Sequence, residues 1–184
     1  MLEFVALAAL VIVAPGPDFA LTMRNTLRGG AQATAAGVAA GQLVWAFAAA
    51  VGIAALLVAS QPAFVALRII GGAYLVWLGL TALLGRNRST HVPSTGSPFL
   101  QGLFSNLANP KMPVFFTSLL PQFGASFGAL AVHGVIFAAL TLIWLSAVGR
   151  AGATLVRPRV RRPVELVTGV VLVALGLRVA TERR

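Results

Sequence analysis

The chain has 184 residues, 58% of them hydrophobic and 10% charged, with a mean hydropathy of +0.90. A soluble domain of this size has no use for so much apolar surface, which leaves a polytopic membrane protein. The net charge of +10 comes from 14 Lys and Arg set against Glu3, Asp18, Glu165 and Glu182; because the arginines fall between apolar runs they read as topology signals and not as a nucleic-acid surface. Cysteine is absent, which excludes disulfides, thiolate metal sites and thiol redox chemistry.

The first apolar stretch runs from Leu2 to about Leu27, and with no charged leader or cleavage site before it, it is expected to be retained. Pro15-Gly16-Pro17-Asp18 interrupts it. The two prolines remove backbone donors and the glycine between them relaxes the chain, so no helix runs through unbroken. Inside a bilayer such a break survives only where it is buried in protein or lines a cavity, which makes it a pointer to a binding site. Asp18 adds to this, because a carboxylate at that depth costs roughly 2.5–3.5 kcal/mol on insertion scales. Arg24, Arg28 and Gly29-Gly30 close the segment.

A second span is expected from about Ala33 to Ala59, with Gly37 and Gly41 in GxxxG spacing for close helix contact and Gln42 as its conspicuous polar residue. Ser60-Gln61-Pro62 reads as a short turn, and a third span as Ala63 to Gly85, with Arg68 near enough to its end to snorkel. Residues 86–98 form the longest polar connection. Phe99 to Ala108 is apolar but too short to cross; Asn109-Pro110-Lys111-Met112-Pro113 then breaks the chain a second time, and apolar sequence resumes from Val114 to Leu120. A fifth span covers Leu130 to Val148, five arginines lie between Arg150 and Arg162, and a sixth span covers Val164 to Ala180.

The chain also resembles itself at an offset of 97 residues: Gly72 to Leu80 matches Gly169 to Leu177 at six of nine positions, and Pro15 and Pro110 correspond with a two-residue slip. Three spans per half is an odd number, so the halves are expected to lie upside down to one another. The resulting fold class is an all-α membrane protein of six transmembrane segments as two inverted three-span repeats, the first and fourth segments broken at the Pro motifs. It forms a single transmembrane domain, 1–184, with one repeat over about 1–85, the loop 86–98, and the second over about 99–184. With the N-terminus outside, nearly all the loop arginines fall on the inner side, while Arg178, Arg183 and Arg184 are the exception.

Asp18 leads the residues able to carry function: it can face a substrate ammonium or take up and release a proton, or it can simply sit at the N-terminus of the half-helix starting at Phe19. Unwound backbone at Pro15, Gly16 and Pro17, and at Asn109, Pro110 and Lys111, offers carbonyls to an ammonium and amides to a carboxylate. Lys111, the only lysine, suits either a pair with Asp18 or a surface charge. Asn106, Gln42 and Gln122 can bond a ligand or a neighbouring helix. His133 has no second histidine or carboxylate beside it in sequence, so no metal site is expected, and the arginine tract suits anionic lipid.

Ala14-Pro15-Gly16-Pro17-Asp18 with Arg24-Asn25 and Gly29-Gly30, and Phe104 to Lys111 with Phe115-Phe116 and Leu120 to Phe123, closely resemble the LysE/RhtB family of amino-acid exporters along nearly the whole chain. The resemblance implies a multi-pass permease of the bacterial inner membrane. It would expel amino acids such as threonine, homoserine, lysine or leucine by proton antiport, as a homodimer, with no cofactor and no enzymatic activity. The site carried over is Pro15, Gly16, Pro17, Asp18, Asn109, Pro110 and Lys111. The alternative is an exporter of a metal or other small ion with related architecture; without cysteine or an acidic cluster, divalent-metal selectivity is hard to build.

Overall fold

The computed structural model describes residues 1–14, 16–26, 28–59, 61–84, 96–109 and 111–151, together with 163, 166–167, 169–170, 173–174 and 177; between 53 and 82 it describes only some side chains. Among these residues all regular structure is helical: α1 (Leu2–Val13), α2 (Pro17–Thr26), α3 (Ala31–Ala59), α4 (Gln61–Leu83), α5 (Pro98–Leu107), α6 (Lys111–Val114) and α7 (Phe127–Ala151). A π-turn (Phe115–Leu119) and a 3-10 turn (Leu120–Phe123) follow α6 directly. Pro15, Pro110, most of the connection 86–98, the arginine tract beyond Arg150 and most of the sixth span lie outside the described residues.

The first break follows from local chemistry. Ala14, which precedes a proline, has φ −51° and ψ 116°, the extended conformation that the proline ring forces on its predecessor. Pro17 then opens α2, two residues earlier than expected, because the first helical position needs no backbone N–H and suits a fixed proline φ. The axes of α1 and α2 differ by 61°. At the second break α5 starts on Ser97, whose Oγ accepts from Leu100 N at 3.3 Å, and stops at Leu107. Apolar helix was expected to resume at Val114, but α6 already begins at Lys111, Pro113 being tolerated in a first turn. The expected turn Ser60-Gln61-Pro62 shrinks for the same reason: α4 begins at Gln61 and takes Pro62 into its first turn.

Among the described residues two helices are long and apolar enough to cross a membrane, Ala31–Gly52 of α3 and Phe127–Ala151 of α7, and the bent pair α1 and α2 makes a third if it is one span. The side chains are sorted for lipid, with Leu43, Val44, Phe47, Val135 and Ile143 exposed while Asp18, Asn25, Thr34, Gln42, Ser105, Asn106 and Asn109 are buried.

Contacts along the helices fix their directions. α3 and α7 are antiparallel: Gly149 abuts Ala31, Gln32 Nε2 donates to Ser146 O at 3.4 Å, and Gly134 abuts Ala46. α5 lies parallel to the start of α3, with Gly30 against Pro98, Gly37 against the backbone of Phe99 and Leu103, and Gly41 against Asn106. Gly37 and Gly41 therefore serve the close approach that their spacing implied. Gly102 answers from α5, touching the carbonyl of Thr34.

α1 starts beside the rings of Phe123 and His133, 5.2 and 4.6 Å from the Phe4 ring, and runs to the middle of the molecule, where Val11 meets Lys111. α2 carries on from there to the opposite end. At that end Asn25 Nδ2 donates to Thr34 Oγ1 (2.8 Å) and Gln101 Oε1 (3.1 Å), and Arg24 Nη2 donates to Gln101 Oε1 at 3.0 Å. α5 and α6 traverse the same path in reverse, from the Arg24 end to Phe123. The two broken elements thus run antiparallel with their interruptions side by side. Gly79 of α4 packs on the backbone of Gly169, which brings residues of the last apolar stretch against the first half.

Candidate functional site at the two helix breaks

The carboxylate of Asp18, in the first turn of α2, is buried and receives three side-chain donors from the second break: Ser105 Oγ at 2.7 Å to Oδ1, and Asn106 Nδ2 at 2.9 Å and Asn109 Nδ2 at 3.0 Å to Oδ2. These replace water around the charge, and the positive end of α2 adds to them. Asn109 is also bound to its own break, its Oδ1 accepting from Lys111 N at 3.1 Å, in the manner of a helix cap.

Lys111 reaches back across the interface. Its Nζ donates to Val11 O at 2.8 Å, near the C-terminal end of α1, where free carbonyls and the helix dipole favour a cation. A Cβ on Gly16 would lie 3.9 Å from that nitrogen, so the two breaks touch. Lys111→Met is expected to cost about 1–2 kcal/mol of stability, from the lost charge-assisted bond and dipole interaction. Thermal unfolding of the detergent-solubilised protein measures this, and a stability equal to the parent's would show the Val11 contact to be dispensable.

Between the breaks lies a hollow of about 20 Å³, with room for about one water. Asp18, Gly16, Asn109, Lys111, Gln42 and Thr141 supply its polar lining, and Ile12, Phe19, Met112, Phe137 and Leu145 its apolar walls. Phe137 is held by a stacked Phe115 at 4.1 Å, and Phe115 opens the π-turn; a π-turn sets side chains off the ordinary helical register, and such turns gather at functional sites.

Of the residues singled out from sequence, Gly16, Asp18, Gln42, Asn109 and Lys111 line this hollow, and Asn106 reaches it through Asp18. Pro17 opens α2 beside them, while Pro15 and Pro110 lie outside the described residues. Lys111 bonds the Val11 carbonyl in place of the direct pair with Asp18 considered above. Gln122 is elsewhere, donating to Ser118 O within its own turn, and His133 packs on Phe4 with Nδ1 2.8 Å from Ala129 O. Sequence reasoning missed Ser105 and Thr141 as site residues. Ser105 sits four positions before Asn109 and beside Asn106, a polar cluster at a helix end that could have signalled a shared face; a lone threonine in an apolar span gives no such sign.

A helical membrane protein whose buried polar centre is assembled from two interrupted helices has the build of a translocator. The chain matches the model of the LysE type translocator family over residues 9–183, and it belongs to that family. It is 32% identical to the threonine efflux protein of Escherichia coli K12 over 88% of this chain and 86% of that protein. It is 32% identical to a homoserine/homoserine lactone efflux protein of Salmonella typhi over 63% and 60% of the two chains. It is also 26% identical to the uncharacterized membrane protein YrhP of Bacillus subtilis over 97% of each. No solved structure matches the chain.

Proposed function

We propose that this chain is a secondary transporter that exports amino acids across the bacterial inner membrane by proton antiport, with the substrate held between the two helix breaks. The observation that carries the reading is the carboxylate of Asp18 on one broken helix, bound by three donors from the other, in a hollow shared with the Lys111 ammonium. A zwitterion presents the complementary pair of charges. Family membership and the relatives named for threonine and homoserine efflux support the same cargo class.

The closed hollow has room for about one water and not for an amino acid, so binding requires the breaks to part. Proton uptake gives them a reason to do so. Protonation of Asp18 removes the charge that strengthens all three bonds: Ser105 Oγ can turn to accept the new O–H and Oδ2 can still accept from Asn106 and Asn109, but the bonds that remain join neutral groups and are weaker. Neutralising the carboxylate therefore loosens the clasp between α2 and α5 and lets the two halves rock against each other. In this reading the last apolar stretch completes a sixth span, the halves form an inverted repeat with the N-terminus outside, and the active unit is a homodimer.

Counterflow in proteoliposomes with a panel of labelled amino acids tests the cargo class. One or more small amino acids should accumulate against unlabelled internal substrate, faster with an opposing proton gradient, while cadmium and nickel are not moved. A folded protein that exchanges no amino acid would end the proposal, and movement of the metals alone would favour the ion exporter.

A further inference from the structure

Thr141 differs from four other described threonines. Thr22, Thr26, Thr34 and Thr117 each donate their hydroxyl to the carbonyl four residues back, at 2.8, 2.9, 3.0 and 2.7 Å, the usual way a helix satisfies a buried threonine. Thr141 makes no such bond: its Oγ1 is buried without a partner, and its side chain lines the central hollow from α7. Across the hollow, on α3, Gln42 is 2% exposed; it turns its amide nitrogen towards Met112 Sδ at 3.9 Å and leaves Oε1 without a partner. An unbonded hydroxyl and an unbonded carbonyl in one apolar-walled hollow are costly unless something there completes them.

We propose that Thr141 and Gln42 form a side-chain subsite that reads a hydroxyl on the transported molecule, a role that rests on the exporter reading above. With the ammonium and carboxylate of the substrate held at Asp18 and Lys111, the rest of the molecule faces α3 and α7. A hydroxyl can donate to Gln42 Oε1 and accept from Thr141 Oγ1 at once; a methyl group of the same size does neither and leaves both atoms unpaired. A basic side chain is poorly served, because Asp18 is the one acidic residue lining the hollow among the described residues. Thr141 is therefore specificity-determining, and the favoured cargo is a small neutral hydroxy amino acid. A site built to hydrogen-bond a hydroxyl discriminates against the analogue lacking it far more strongly than an apolar pocket discriminates by size.

The test is the competition of threonine against valine, its near-isostere, and of homoserine against norvaline, for counterflow in proteoliposomes of the full chain. The parent should favour each hydroxylated member by about tenfold or more, the worth of a buried hydrogen bond. Thr141→Val should bring the threonine-to-valine ratio of whatever exchange remains towards one, and Thr141→Ser should keep the parent's preference. Valine competing as well as threonine in the parent overturns the subsite, as does a Thr141→Val protein that keeps the parent's ratio. If Thr141→Val fails to fold, the parent's competition and Thr141→Ser still decide. Exchange without discrimination refutes this inference alone, whereas exchange of no amino acid at all refutes the exporter reading and takes this one with it.

Discussion

Asp18→Asn is expected to insert like the parent, to melt only slightly lower, and to lose coupled efflux by about one to two orders of magnitude. The substitution keeps the shape and most of the bonding: the new amide oxygen can still accept from Asn106 and Asn109, and its nitrogen can donate to Ser105 Oγ, which has lone pairs to spare. What disappears is the charge. A hydrogen bond to a charged group is worth about 1.5–3 kcal/mol, and losing one such interaction with the substrate or the coupled proton corresponds to roughly a tenfold to hundredfold fall in rate. Asp18→Ala separates this role from a structural one. It leaves three buried donors without an acceptor, at a cost of about 1–3 kcal/mol for each unsatisfied group, so it should reduce both melting temperature and yield. Proton-driven efflux from vesicles, read beside thermal unfolding in detergent, distinguishes the two. Undiminished export by Asp18→Asn would remove the carboxylate from the mechanism.

The second large effect is expected at Gly37. A Cβ there would strike the carbonyl oxygen of Phe99 and come within 2.9 Å of Leu103 N, and both are backbone atoms that cannot swing aside. The opposing surface is no more yielding, since a Cβ on Gly102 would strike the carbonyl of Thr34. Gly37→Ala must therefore push α5 bodily from α3, and overpacking of this kind costs about 1–3 kcal/mol. The functional loss should exceed what the stability change suggests, because Ser105 and Asn106 ride on α5 and their bonds to Asp18 lengthen with any separation. Gly52→Ala, in the same helix, has nothing within 4 Å of the added carbon and serves as the control. Unfolding temperature and counterflow rate measure both variants. Equal behaviour of the two would mean that the crossing of α3 and α5 can widen freely.

The arginines show how sequence and structure divide the information. Their placement between apolar runs announced a membrane protein; in the structure Arg24 lies at one end of the helices and Phe4, Phe123 and His133 at the other, while the basic connections over 86–95 and 152–162 lie outside the described residues. Their position alone could not say that Arg24 bonds Gln101 and so ties the end of α2 to the start of α5. That contact joins residues 77 positions apart, beyond the reach of any local pattern.

By itself the sequence determined the helical membrane class, the positions of the two breaks and the close contact at Gly37 and Gly41. These follow from short-range rules: hydropathy over a helix length, the missing N–H of proline, and the absence of a Cβ. Only the tertiary structure decided what meets at the breaks. It turned Lys111 to Val11 and not to Asp18, recruited Ser105 to the carboxylate, and left the Thr141 hydroxyl facing the hollow. The physical reason is that a buried polar group must take its partner from whatever packing brings within about 3 Å. At the two breaks those partners lie on other helices, up to 100 residues away along the chain.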